Sequence, residues 1–271
     1  ALTTNTTGDF NTAVGLDALY TNLGADNSTA VGYKALRLNT AADNTAVGAA
    51  ALTANTTGTL NVAVGGRALE SNSTGGNNTA VGYRALLLNT AADNTAVGVY
   101  ALDANTIGTR NVAVGMSALS ANTEAVDCTA VGYQSLLANT TGSYNNAFGK
   151  GSLRTNTTGL QNVALGYQTM TATTTGSYNA AVGNYALTAN TTGVSNTATG
   201  YNALAVNTTG DFNTAVGLDA LATNLGADNS TAVGYKALEL NTGADNTAVG
   251  AFSLDANTTA INNTAVGKDA L

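Results

Sequence analysis

An Ala-x-Gly tripeptide recurs sixteen times at intervals of 16 or 17 residues, from Ala13–Gly15 to Ala265–Gly267, and neither residue is ever replaced. Positions are numbered below from this glycine, so that the Ala lies at position −2. The repeat, NTAVGYxALxxNTTGxx, is too short for helix pairs or leucine-rich repeats, but it matches one coil of a β-solenoid with two short strands and two turns. The sequence therefore predicts an all-β fold, a β-solenoid of sixteen coils. We expect residues 1–271 to form one continuous, uncapped array, a segment of a longer fibre.

Composition argues for an ordered chain with few classes of partner. The chain has no His, Pro or Trp and only 9% charged residues, and its 44% hydrophobic residues are periodically arranged. The net charge is −7, and nine Lys and Arg are spread over sixteen coils. Such a distribution offers no basic groove for nucleic acid and no patch for anionic lipid. No apolar run approaches the ~20 residues of a membrane-spanning helix, so we expect no membrane insertion in this segment.

The sequence gives almost no support for catalysis. It has no His, no phosphate-cradling Gly-Lys motif, and no Ser nucleophile with a base within reach. We therefore expect no enzyme activity, no catalytic residues and no resident cofactor.

The strand NTAVG presents two faces, since side chains alternate along a β-strand. Positions −3 and −1 carry mostly Thr and Val, as at Thr12 and Val14, and predict a β-branched stripe that fills the interior. The opposite face holds Ala in all sixteen coils, which a solvent-facing position would not maintain. A second strand is expected at positions +3 and +4, such as Ala18 and Leu19. Because something must cover the small-residue faces, the sequence predicts self-association with copies of the same chain.

Asparagine marks the turns. Position +7 is Asn in fourteen of fifteen complete coils, and Thr173 is the exception. Asn tolerates left-handed backbone, and stacked Asn side chains can form amide ladders between coils. The 16-residue coils lose their residue within this turn, which predicts an undisturbed strand register. The single Cys128 occupies position −4, where thirteen coils have Asn and two have Ser, and it is interpreted as a substitution in a structural ladder.

The segments NSTAVGYKAL, NTAVGYRAL and NVALGYQTM resemble the head repeats of trimeric autotransporter adhesins. The full NTTGxxNTAVGYxAL form also resembles the arrays of bacterial and phage fibre proteins that end in a self-cleaving intramolecular chaperone domain. The resemblance covers all 271 residues, although adhesin heads usually have a shorter period. It implies a β-roll shared by three chains, an intertwined or side-by-side homotrimeric fibre, with possible end-to-end filament growth. It also implies an extracellular, cell-surface or virion location, with a host-cell or glycan surface as partner.

Three sets of residues are candidates for binding or modification. Tyr follows the glycine in six coils, but two or three coils apart, which predicts no continuous sugar-stacking platform. Asp residues in the turns are possible Ca²⁺ ligands, although the calcium β-roll nonapeptide is absent, and turn hydrogen bonding is the simpler interpretation. Sequons such as Asn55-Thr56-Thr57 and Asn156-Thr157-Thr158 follow from the repeat itself. The Tyr residues are Tyr33, Tyr83, Tyr133, Tyr167, Tyr201 and Tyr235, and the Asp residues are Asp26, Asp43, Asp93, Asp127, Asp228 and Asp245.

The favoured function is that of a structural component of an extracellular fibre, which supplies length, stiffness and surface attachment. A phage tail-fibre shaft is the alternative within this class. An ice-binding solenoid is a rival, because Thr occupies position −3 in eleven coils, and a carbohydrate-binding module is another.

Overall fold

A computed structural model describes all 271 residues, and it is an all-β parallel β-solenoid with one three-residue strand in each repeat. The structure has no α-helix, and so no helix that could cross a membrane. The strands are β1 Thr12–Val14, β2 Thr29–Val31, β3 Thr45–Val47, β4 Val62–Val64, β5 Thr79–Val81, β6 Thr95–Val97, β7 Val112–Val114, β8 Thr129–Val131, β9 Asn146–Phe148, β10 Val163–Leu165, β11 Ala180–Val182, β12 Thr197–Thr199, β13 Thr214–Val216, β14 Thr231–Val233, β15 Thr247–Val249 and β16 Thr264–Val266.

The chain divides into two compact units, Ala1–Gln134 and Ser135–Leu271. The first contains β1 to β8 and the second contains β9 to β16. Within each unit every strand pairs in parallel with the strand of the next coil, in a register that aligns equivalent positions, as Ala13 with Ala30 and Ala164 with Ala181. The β-solenoid predicted from the repeat is therefore confirmed.

Each coil has one strand, and the predicted second strand is wrong. Residues at positions +2 and +4 have positive φ, for example +58° at Lys34 and +49° at Leu36, which is incompatible with an extended strand. This segment is a series of turns that still joins neighbouring coils through the backbone. The Leu36 N–H, for instance, donates to the Ala51 carbonyl of the next coil at 3.0 Å. Stacking of coils here depends on repeated turn geometry.

The strand face that carries Ala fills the interior, whereas the sequence predicted that the face with Thr and Val would do so. The Ala at position −2 is fully buried in fourteen coils, and so is the Leu or Met at position +4 in nearly all of them. Thr and Val at positions −3 and −1 point outward; Val64 and Val97 are each 37% exposed. A coil of 17 residues encloses little volume, and the Leu layer together with two rows of Asn leaves room only for a methyl group on the strand. The Ala is therefore covered by its own chain, and its invariance needs no second copy.

Two ladders of buried Asn run through each unit. At position +7, Asn55 donates from Nδ2 to Asn39 Oδ1 of the preceding coil at 2.7 Å and to the Gly58 carbonyl of its own turn at 2.9 Å. At position −4, Asn61 Oδ1 accepts from the backbone N–H of Asn78 in the next coil at 3.0 Å. These residues are fully buried. The amide ladders predicted from stacked Asn are confirmed, and they satisfy polar groups that the coil cannot pair within its short strands.

The shortened coils differ only in this turn. In the 16-residue coil after Tyr33, Asn39 Nδ2 donates to the carbonyl two residues later, Ala41, at 2.7 Å; Asn55 in a 17-residue coil reaches three residues ahead. Strand β3 keeps its aligned register with both neighbours. The length change is absorbed where the sequence predicted it.

Candidate functional surfaces

The outward strand face is the most regular exposed surface of the molecule. In each unit, eight parallel strands present one residue at position −3 and one at position −1, stacked coil upon coil. Thirteen of the sixteen residues at position −1 are Val. Most are between one third and two fifths exposed, as with Val81 at 36% and Val249 at 38%. The result is a regular row of partly exposed apolar residues, mostly Val, bordered mainly by Thr.

The two corners that flank this face differ in charge. The corner before the strand, positions −8 to −5, carries nine acidic side chains and one cation, Arg110. The corner after the glycine, positions +1 to +5, carries eight cations and seven acidic side chains. Several of these charges pair locally: Arg67 with Glu70 at 2.5 Å, and Lys236 with Glu239 at 3.0 Å. One side of the strand face is thus acidic and the other nearly neutral.

The post-glycine corner contains aromatic contacts that the sequence argument missed. Tyr167, Tyr185 and Tyr201 lie in successive coils with ring centroids 5.4 and 5.8 Å apart in edge-to-face geometry. Tyr83 and Tyr100 pair in the same way at 5.8 Å. The six tyrosines at position +1 are separated, and one pair of them, Tyr167 and Tyr201, is bridged by a ring at position +2 of the intervening coil, Tyr185. The rings therefore form clusters of two or three and not a continuous platform.

Cations lie against these rings. The Arg84 guanidinium is 5.4 Å from the Tyr100 centroid, and Lys150 Nζ is 5.7 Å from that of Tyr167. Burial raises the pKa of the Asp103 carboxyl, and the nearby Arg84 partly offsets that rise. Burial also raises the pKa of the Tyr185 phenol, and the neighbouring Tyr167 adds to that rise. These contacts fix the rings by edge-to-face and cation–π interactions.

The pre-strand corner carries a second, more exposed aromatic set at position −5. Tyr144 is 51% exposed, Tyr178 is 57% exposed and Phe212 is 60% exposed, and they lie in alternate coils of the second unit. None of the ring contacts of the post-glycine corner involves them. Their signal in the sequence is a recurrence every 34 residues, two repeats apart, which is visible only once position −5 is known to face outward.

The turn aspartates act as hydrogen-bond acceptors. Asp26 Oδ1 accepts from the Asp9 N–H of the preceding coil at 2.8 Å, and Asp228 Oδ1 accepts from the Asp211 N–H at 2.8 Å. Asp127 pairs with Arg110 at 2.7 Å, and this bond lowers the pKa of the Asp127 carboxyl. No group of three or more His, Cys, Asp or Glu side chains is close enough to hold a metal ion. The geometry supports the turn interpretation of these residues.

Cys128 is fully buried in the position −4 ladder, where its N–H donates to Asn111 Oδ1 at 3.0 Å. It takes the backbone bond that Asn makes elsewhere. The sequon residues Asn55 and Asn156 are also fully buried in the position +7 ladder. Glycosylation of either residue would therefore require the coil to open, whereas Asn5 in the first coil is exposed.

A cavity of about 880 Å³ lies at the last coil, lined by residues that include Phe252, Leu254, Asn257 and Leu271. In the other coils the equivalent groups are covered by the following coil. The cavity is therefore formed by the surface on which one coil stacks on another. Comparison with family models finds no match for the chain, and no curated protein shows significant similarity to it.

Proposed function

We propose that the chain is a structural, non-enzymatic component of an extracellular fibre or filament that assembles through its outward strand face. The observation that carries the proposal is the outward stripe at position −1, which is Val in all eight strands of the first unit and in five of eight strands of the second. Removing such a stripe from contact with water is favourable by roughly 25 cal/mol per Å² of apolar area buried. A second copy of the same regular surface is the simplest partner able to cover it coil by coil.

The resemblance of the repeat to trimeric adhesin heads supports three chains about a common axis. Charge supports a parallel arrangement. Rotation about an axis parallel to the stack brings the acidic corner of one chain beside the nearly neutral corner of its neighbour. An antiparallel face-to-face arrangement would bring two acidic corners together, which is disfavoured by like-charge repulsion. The same surface suits a cell-borne adhesin and a phage tail-fibre shaft, and an extracellular, cell-surface or virion location is part of the proposal.

The test compares two valines two residues apart. Val97 belongs to the outward stripe and Val99 lies in the post-glycine corner, and each is 37% exposed. Val97→Lys places a charge in the proposed interface and is expected to convert a trimer to monomers in light scattering coupled to size exclusion. Val99→Lys is the control, since Lys150 and Lys268 occupy the same position in other coils. A monomeric wild-type chain, or equal dissociation by both variants, would contradict assembly through this face.

Ice binding is a second candidate, because the structure places Thr on the outside. Thr45 and Thr79 belong to an outward row at position −3 that is Thr in eleven coils and is interrupted by residues such as Val62, and rows of Thr spaced roughly 4.8 Å apart can order water. The two candidates use the same face and exclude each other. A monomer with thermal hysteresis that Thr79→Lys abolishes would support ice binding and would replace the fibre proposal.

A further inference from the structure

We infer that Tyr144, Tyr178 and Phe212, with Gln161 and Ser195 between them, form a binding platform for an extended, neutral β-1,4-linked glycan. The five residues occupy position −5 of five successive coils, all within the second unit. Rings and small polar side chains alternate along the corner. We refer to these five residues as the glycan platform. The inference goes beyond the fibre proposal and does not depend on it, because the platform is complete within one chain.

The backbone has the same conformation at the three ring positions. Tyr144, Tyr178 and Phe212 have φ of 63°, 61° and 57°, so each side chain leaves the coil from the same left-handed conformation. The Tyr178 N–H donates to the Leu160 carbonyl at 3.0 Å and the Phe212 N–H to the Val194 carbonyl at 3.1 Å. These bonds tie the corner to the spacing of the coils. Successive rings are therefore about 9.6 Å apart along the stack, twice the ~4.8 Å strand spacing.

This spacing matches the chemistry of an extended β-1,4-linked glycan. Each pyranose advances such a chain by about one coil, and alternate pyranoses present the same face. Rings in alternate coils can stack on alternate sugars, with the C–H-rich sugar face against the negative aromatic face. Gln161 and Ser195 lie beside the intervening sugars, where an amide and a hydroxyl can exchange hydrogen bonds with sugar hydroxyls.

The local charge favours a neutral ligand. Positions −6 and −5 of the four coils from Ser143 to Ser195 contain no ionisable group other than the tyrosine phenols. The first carboxylate is Asp211, and its Oδ1 already accepts from the Val194 N–H at 2.7 Å. In the first unit the same corner carries Asp43, Asp93 and Asp127 and has no regular rings, so it serves as an internal comparison.

The edge-to-face tyrosines of the opposite corner are a weaker candidate. Tyr185 packs against both Tyr167 and Tyr201, so its ring surface is partly used by its neighbours. The platform rings have no such contacts and are more than half exposed. An exposed ring on a rigid corner loses little conformational entropy when a sugar binds.

The experiment is calorimetric titration of the full chain with β-1,4-linked glucose oligosaccharides of two to six units. Affinity is expected to rise in steps at three units, which span two rings, and at five units, which span three. Maltose-series oligosaccharides, which curve, are expected to show no steps. Tyr178→Ser copies Ser195 of the next coil and is expected to weaken pentasaccharide binding about three- to tenfold. The triple variant Tyr144→Ser, Tyr178→Ser, Phe212→Ser is expected to abolish it.

Tyr33→Asn is the matched control, since it removes a ring of 48% exposure from the other corner and copies Asn184 at the same position. It is expected to leave binding unchanged. The inference is overturned if the wild-type chain binds none of the oligosaccharides, if affinity has no dependence on length, or if Tyr33→Asn weakens binding as much as Tyr178→Ser. Light scattering on the same samples separates this result from assembly, because the serine variants are expected to keep the wild-type mass.

Discussion

Thr173→Asn is expected to stabilise the protein, because it completes an interrupted ladder. Thr173 is the one residue at position +7 that is not Asn in a complete coil. It is fully buried, and neither its hydroxyl nor the Oδ1 of Asn156 in the preceding coil has a hydrogen-bond partner. In several intact coils that oxygen accepts from the next Asn, as Asn39 Oδ1 accepts from Asn55 Nδ2 at 2.7 Å.

The magnitude follows from the bonds gained. An Asn at position 173 can donate to Asn156 Oδ1 and to the Gly176 carbonyl of its own turn, and it can accept from Asn190 Nδ2. Each neutral hydrogen bond contributes about 0.5–1.5 kcal/mol net, and the Thr hydroxyl ceases to be unsatisfied. Since Asn has to be ordered in the site, we expect a gain of about 1–3 kcal/mol. Thr173→Val removes only the unsatisfied hydroxyl, so the difference between the two variants isolates the ladder.

The reverse substitution is the control. Asn207 lies in the same ladder, and its Nδ2 donates to Asn190 Oδ1 at 3.3 Å and to the Gly210 carbonyl at 2.9 Å. Asn207→Thr is expected to destabilise by about the amount that Thr173→Asn gains. Urea unfolding gives the free energies, and amide hydrogen exchange shows whether the change is local to these coils, as expected for a repeat array. A Thr173→Asn variant no more stable than Thr173→Val would refute the stabilising role of the ladder.

Three further outcomes are expected. Gly65→Ala places a Cβ 2.5 Å from a backbone oxygen of the next coil at φ +133°, and it is expected to lower the free energy of unfolding by roughly 2–6 kcal/mol. In Gly66→Ala the nearest atom to the new Cβ belongs to Tyr83 at 3.4 Å, so this control is expected to be neutral or slightly stabilising. Urea unfolding measures both. Cys128→Ser should change stability by less than about 1 kcal/mol, and the native thiol should resist a thiol reagent until urea unfolds the chain. Burial raises the folded-state pKa of Asp103, so its contribution to stability is present below the unfolded value of 3.8 and is lost as pH rises through the folded pKa. Asp103→Asn should therefore stabilise the protein near pH 7 but not in acid, and an equal effect at both pH values would contradict this assignment.

Much of the fold could be predicted because the repeat restates each structural rule sixteen times. The invariant glycine is required by backbone geometry: Gly65 has φ +133°, and a side chain there would collide with Gly82. The Asn at position +7 was recognised as a ladder residue because Asn alone combines turn formation with stacking of identical amides. The shortened coils located the turn, since a one-residue loss inside a strand would have reversed its faces.

The direction of the strand faces could not be predicted from hydrophobicity. Val is more apolar than Ala, and an isolated strand with Val14 and Ala13 is expected to bury Val. The interior of so short a coil is limited by volume, and Leu19 and Asn22 already occupy much of it. The volumes of all the inward side chains of a coil have to be added together before it is clear that the strand can place only a methyl group in the interior. The aromatic contacts could not be predicted for a related reason. The contact of Tyr185 with Tyr167 depends on the direction in which the Tyr185 side chain points, and the repeat pattern does not give that direction.

The Ala face is buried within the chain and the Val face is exposed, so the evidence that bears on a partner comes from the Val face. Position −5 is outward and holds eight residue types in sixteen coils, as expected for a surface position without a constant neighbour. Position −1 is also outward, yet Val occurs in thirteen coils, with Phe148, Leu165 and Thr199 the exceptions. A preference of strands for β-branched residues would accept Thr and Ile equally, but Thr occurs there once and Ile never. The interior cannot impose this restriction, because the side chains point away from it. The restriction to Val therefore supports the proposal that a partner covers the stripe in each unit.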